Sequence, residues 1–242
     1  MRDAALLRKV VAEALGTALL LVAVVGSGIA AQRLSPGNPG LELFENAVAT
    51  GCALAVIILA LGPVSGAHLN PVVSLVDAAL GGLDRRQLGA YIAAQMGGAV
   101  IGVVVANLMF SLAPVTMSQR ARVGPGLWLG EVVATFGLLL VIFGVARSGR
   151  SAVVPFAVGA YITGAYFFTS STSFANPAVT VARMLSNTFA GISPGSVAPF
   201  IAAELCGGAA AWLAIRYLHP DAREIAEVVI VPHQSSPVES HR

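Results

Sequence analysis

The chain has 242 residues, of which 56% are hydrophobic and only 11% charged, with a formal charge of +2 and a mean hydropathy of +0.81. A soluble domain carries roughly 25% charged residues, so this composition excludes a water-soluble fold and points to an integral membrane protein. The small positive balance belongs to basic ends and loops, which excludes a nucleic-acid surface as the organising feature.

In chain order, the first apolar run covers 10–31. It is too long for the core of a cleaved signal, carries Glu13 and has no small-residue cleavage site, so it is expected to be retained as a span. A second run follows at 46–62, and then Ala67-His68-Leu69-Asn70-Pro71-Val72-Val73. Asn is a good N-cap and Pro is favoured at the first helical position, so this stretch reads as a loop entering a helix. The third run, 88–114, carries Gln95; the fourth, 127–146, carries Glu131; the fifth is 152–170. Ser173-Phe174-Ala175-Asn176-Pro177-Ala178-Val179 then repeats the earlier pattern, before a sixth run at 196–218 that carries Glu204. Each run is near the ~20 residues that cross the hydrocarbon layer as a helix, so an all-α membrane fold with six spans is expected over 1–218. Cys52 and Cys206 fall inside spans and show no ligand spacing, so neither a disulfide frame, a metal site nor a cofactor is suggested. From residue 219 the chain is polar, with Pro220, Pro232 and Pro237, and is expected to be a disordered cytoplasmic extension.

Positive charge is asymmetric. Arg2, Arg8 and Lys9, Arg85 and Arg86, Arg147 and Arg150, and Arg216 and Arg223 fall on one side, against Arg33, Arg120 and Arg122 on the other. The positive-inside rule then places both termini in the cytoplasm, in the plasma (inner) membrane. Aligning the two Asn-Pro segments shifts the chain by 106 residues (176 minus 70), and Glu13 with Thr17 then faces Glu131 with Thr135, while Gln95 answers Glu204. The repeats cover about 8–114 and 127–218. A half with three spans ends on the side opposite its start, so the second half is inverted. The segments 70–80 and 176–186 can form helices of only ~16 Å, about half the ~30 Å core. Such re-entrant half-helices are tolerated where protein or a water-filled cavity satisfies the loose backbone. Entering from opposite faces, they meet near the midplane, with 63–69 and 170–175 running extended and offering carbonyls. That arrangement describes a pore.

At these residues the chain resembles the aquaporin family, the major intrinsic proteins. Ser65-Gly66-Ala67-His68-Leu69-Asn70-Pro71 is similar to its first signature, with Val72 where Ala is usual, and Asn176-Pro177-Ala178 matches the second. Glu13 with Thr17 and Glu131 with Thr135 resemble its motif in spans 1 and 4, and the similarity covers about 8–218. The resemblance implies a homotetramer in lipid with one pore per subunit, passing water and small uncharged solutes such as glycerol. Two opposed half-helix N-termini, each carrying roughly +0.5 of an elementary charge, would repel cations and protons. Amide NH2 groups of Asn70 and Asn176 would donate to a passing solute while loop carbonyls accept.

The family's outer selectivity ring falls by distance from the asparagines on Thr50, Gly164, Ser173 and Val179. In the family that the chain resembles, water-selective members usually have an aromatic, a His and an Arg there, and glycerol-selective members commonly two aromatics and that Arg. None is present at these four positions, so a broad filter is expected, and neutral metalloid hydroxides such as arsenous acid join the candidate solutes. Arg183 lies four residues after Val179 on the same helix face, and side chains lean toward the helix N-terminus. It is either a displaced filter arginine or an outer-mouth residue, solvated or paired with a loop carboxylate. Its counterpart Asp77 is expected in a solvated vestibule. His68 is expected to line the inner pore. Glu13 and Glu131 are expected to accept hydrogen bonds from the loop backbones rather than to couple protons. The runner-up reading is a coupled secondary transporter, which inverted repeats also permit. An enzyme finds no metal cluster or nucleophile-base arrangement in the sequence.

Overall fold

Where each helix starts and stops follows from its terminal residues. Pro39, Pro71, Pro125 and Pro177 all stand at the first helical position, where a missing N–H costs nothing. Asn38 caps the helix that follows through its side chain, and Asp84 does so in a capping box with Gln87. Gly66 (φ 90°) and Gly81 (φ 101°) end helices in the left-handed conformation. The computed structural model describes residues 2–218 in these terms, and the expected C-terminal extension at 219–242 lies outside the described residues.

The order is α1 (Arg2–Leu34), α2 (Pro39–Ser65), α3 (Pro71–Leu80), α4 (Arg85–Met109), α5 (Pro125–Arg147), α6 (Val154–Phe168), α7 (Pro177–Ala182) and α8 (Pro194–Leu218). A single 3-10 turn, Ser151–Val153, leads into α6, and another, Arg183–Leu185, continues α7. Among the described residues, six helices are long and apolar enough to cross a membrane. α3, with 10 residues, and α7, with 6, are too short to do so. The spans run close to the six apolar runs. Two boundaries differ from the sequence reading. α2 continues through Pro63 to Ser65, so the irregular stretch before Asn70 is 66–69 rather than 63–69. α4 ends at Met109, and 111–124 is a long irregular connection.

The two halves pack in the same pattern. α1 lies against α2 and α4 as α5 lies against α6 and α8, and α2 meets α6 across the two halves. α3 also touches α8 of the other half, α7 touches α4, and α3 meets α7. Glycines set the closest approaches, since lipid supplies no hydrophobic drive between helices and small residues let backbones touch. A Cβ on Gly98 or Gly102 of α4 would collide with the carbonyls of Ala14 or Ala18 on α1. A Cβ on Gly207 of α8 would lie 2.5 Å from the Val132 carbonyl on α5.

Gly208 explains how the fold accommodates Val72, which replaces the usual Ala of the first motif. A Cβ there would lie 2.5 Å from Val72 Cγ1. Gly208→Ala is therefore expected to destabilise by about 1–3 kcal/mol through overpacking. Adding Val72→Ala should recover most of that loss, as read from thermal unfolding midpoints of the two variants in detergent.

Candidate functional site

Both half-helices begin on an asparagine held in the same way. Asn70 (φ −155°) and Asn176 (φ −160°) are extended N-caps. Asn70 Oδ1 accepts from the Val72 amide at 2.9 Å. Asn176 Oδ1 accepts from the amides of Ala178 at 3.0 Å and Val179 at 3.3 Å. The two side chains then cross. Asn70 Nδ2 donates to the Ala175 carbonyl at 2.7 Å, and Asn176 Nδ2 donates to the Leu69 carbonyl at 2.8 Å. An amide has two N–H donors, so this reciprocal bond leaves one donor on each asparagine free for a solute. Both asparagines line a cavity of about 280 Å³ that draws its wall from both halves.

The loops before the half-helices are fixed from behind. Ala67 (φ 47°), Leu69 (φ 51°), Thr172 (φ 68°), Ser173 (φ 50°) and Ala175 (φ 50°) are left-handed, so the backbone coils through these stretches rather than running plainly extended. Such conformations persist in non-glycine residues only when the surroundings impose them. Here buried carboxylates do so. Glu13 Oε1 accepts from Ser65 Oγ at 2.7 Å and the His68 amide at 3.0 Å, and its Oε2 accepts from the Leu69 amide at 2.7 Å. Glu131 accepts from the Phe174 amide at 2.9 Å and the Ala175 amide at 2.7 Å. With the amides drawn toward these carboxylates, Gly66–Asn70 and Ser173–Asn176 face the cavity.

The other predicted residues divide by position. Thr50, His68, Ser173, Val179 and Arg183 line the cavity. His68 Nδ1 lies 3.0 Å from Ser74 Oγ, with its ring edge-on to Tyr91 at 5.4 Å. Pro71, Val72, Pro177 and Ala178 are buried helix starts outside the lining. Gly164 does not line the cavity either. Helical periodicity places Val158, Ile162 and Tyr166 on the lumen side of α6 instead, and a Cβ on Gly164 would meet the Phe168 ring at 3.7 Å. Tyr166 donates from its hydroxyl to Thr50 Oγ1 at 3.3 Å, so an aromatic ring stands in this wall where sequence spacing suggested a glycine. Asp77 is 3% exposed rather than in an open vestibule, because the chain turns back after Gly81 and Gly82 packs against its carboxylate. His68 Nε2 is 3.9 Å from that carboxylate.

Arg183 is 2% exposed and lies in the cavity wall, not on an open rim. Its Nε donates to the Ala190 carbonyl, and its guanidinium lies 3.5 Å from the centre of the Phe174 ring. A second arginine approaches the same ring. Arg122, from the connection between α4 and α5, lies 4.9 Å from the ring centre. It donates to the carbonyls of Gly191 at 3.0 Å and Ser171 at 3.2 Å. The sequence reading missed Arg122, Phe174 and Tyr166 as a group. Only the spacing of four between Ile162 and Tyr166 offered a signal; nothing local places Arg122.

The model of the Major intrinsic protein family matches residues 1–175 of this chain. The chain belongs to the major intrinsic protein family. It is 52% identical over 225 residues to aquaglyceroporin AqpS of Rhizobium meliloti (strain 1021), an alignment covering 93% of this chain and 96% of that protein. It is also 33% identical over 231 residues to aquaporin NIP1-1 of Zea mays, covering 91% of this chain and 79% of the relative. Among solved structures, the aquaglyceroporin from Plasmodium falciparum superposes with a TM-score of 0.66 at 22% identity, over 90% of this chain and 98% of that one. That likeness carries the fold. As a major intrinsic protein the chain is a multi-pass membrane protein.

Proposed function

We propose that this protein is a passive channel for water and small uncharged solutes, glycerol and similar polyols first among them. The observation that carries the reading is the pair of crossed bonds from Asn70 to the Ala175 carbonyl and from Asn176 to the Leu69 carbonyl, which sets two half-helix N-termini against one another inside a cavity lined by both repeats. A cation arriving there meets two positive dipole ends, while a neutral hydroxyl meets a free amide donor from each asparagine. The relation to aquaglyceroporin AqpS supports glycerol as a solute. Ser173 Oγ, which finds no partner among the described residues, adds a polar edge to the lining. A neutral trihydroxide such as arsenous acid has a glycerol-like outline and belongs to the same proposal. So do a homotetramer in the plasma membrane and cytoplasmic termini, which the distribution of arginines supports.

Coupled transport is the weaker reading, because the carboxylates of Glu13 and Glu131, its natural coupling groups, are engaged by loop amides. Enzymatic activity is not part of the proposal. Stopped-flow uptake of water, glycerol, urea and trivalent arsenite into proteoliposomes, against empty vesicles, tests it. Channel conduction predicts faster equilibration of water and glycerol, no accumulation above the outside concentration and no response to proton or sodium gradients. Accumulation driven by either gradient would overturn it.

A further inference from the structure

The two halves brace their half-helices with different chemistry. In the first, the Gln95 amide on α4 donates through Nε2 to Glu13 Oε2 at 2.8 Å and to Ser74 Oγ at 2.9 Å. A neutral group thus ties the buried carboxylate to the half-helix four residues past Asn70. In the second half the corresponding residue is Glu204 on α8, fully buried like Glu131. Glu204 Oε1 accepts from Thr180 Oγ1 at 2.5 Å, four residues past Asn176, and from the Asn176 amide at 3.2 Å. Its Oε2 has no hydrogen-bond partner among the described residues.

The amides of Phe174 and Ala175 go to Glu131, and the next one, of Asn176, goes to Glu204. Three successive amides therefore hold two buried carboxyl groups against one short stretch of backbone. Ionising both would set two like charges near one another and leave a buried oxygen with no hydrogen-bond donor among the described residues, a costly arrangement in a protein interior. One proton between them removes the repulsion and converts an orphaned acceptor into a donor. We propose that Glu131 and Glu204 share a single proton, so that a hydrogen-bonded acid pair does in the second half what the Gln95 amide does in the first. Glu204 is then a positioning residue for the Asn176 end of the pore. The inference rests on the channel reading only for its transport readout.

Two cations face the pair: Arg183, from the turn after α7, faces both carboxyls, and Arg122, from the 111–124 connection, faces Glu131, while α3 presents Val72 to α8 beside Gly208. Loss of the shared proton would place a second fixed negative charge against the backbone of Asn176. That charge opposes the positive end of the half-helix, so cation exclusion should weaken wherever the proton is lost.

Infrared spectra of the protein in proteoliposomes, in H2O and D2O at neutral pH, test the shared proton directly. The wild type should show a carboxylic-acid C=O band, sensitive to deuterium, that is absent from Glu204→Gln. The amide replaces the protonated acid in shape and in donor capacity, so Glu204→Gln should fold, conduct glycerol at the wild-type rate and keep cation leak as low as the wild type. Glu204→Leu, which strips Thr180 and Asn176 of their acceptor, should lose roughly tenfold in flux. Identical carbonyl spectra for wild type and Glu204→Gln would overturn the proposal even in a conducting channel. Glu204→Gln conducting as poorly as Glu204→Leu would overturn it as well. Absence of glycerol flux in the wild type would instead count against the channel reading and leave the infrared result standing.

Discussion

Asn176→Asp is expected to cut glycerol and water flux roughly five- to 150-fold while leaving the protein folded. Asp is as good an N-cap as Asn, and its carboxylate can still accept from the amides of Ala178 and Val179. What changes is the other end of the group. Nδ2, now 2.8 Å from the Leu69 carbonyl, becomes an oxygen facing an oxygen. The crossing bond to the first half is replaced by repulsion, and the donor left for solute is gone. An unsatisfied or repelled polar group at such a site costs about 1–3 kcal/mol, which as an added barrier gives the stated range. The new negative charge also offsets the positive end of the half-helix, so cation leak should rise above that of the wild type. Stopped-flow light scattering and a cation-flux assay on the same vesicles check both results. Unchanged flux would mean that Asn176 does not face solute, and the pore reading would fall with it.

The part of this geometry that sequence could reach is the part carried by local chemistry and by the repeat. Asn-Pro reads as a cap because capping involves only a few neighbouring residues, and two copies 106 residues apart (176 minus 70) in equivalent settings imply inversion once the spans are counted. Glu13 and Glu131 were legible for the same reason, since each sits at a matching place in its half. The lumen face of α6 was not. Counting back a fixed distance from Asn176 across the irregular stretch Thr169–Ala175 lands on Gly164, whereas the phase of the helix itself, set by Val158 and Ile162, selects Tyr166. Arg122 lies in a connection with no periodicity, and only the tertiary path of 111–124 brings it to Phe174. Asp77 was placed by analogy with Arg183, but the turn at Gly81 folds Gly82 over it. The broad filter inferred from four small or aliphatic residues accordingly gains a tyrosine hydroxyl and a guanidinium on its wall.

Arg183 shows how charge and shape at that wall can be separated. Its guanidinium lies over the Phe174 ring and contributes the one arginine charge among the described residues lining the cavity. At an effective dielectric of about 20, a unit charge about 8 Å from a permeating cation is worth about 2 kcal/mol. Arg183→Ala is therefore expected to raise cation leak roughly thirtyfold. It should also let longer polyols pass, because the space beside Phe174 is vacated and the Ala190 carbonyl loses its donor. Arg183→Lys isolates the two effects. An ammonium keeps the charge but cannot lie flat on the ring or present a planar fork of donors. That variant should hold back cations nearly as well as the wild type while shifting the ranking of glycerol against larger polyols. Radiotracer uptake of a polyol series, with cation flux measured on the same vesicles, distinguishes the outcomes. If neither variant alters leak or ranking, Arg183 acts only in packing, and discrimination rests with Thr50, Tyr166 and the asparagines.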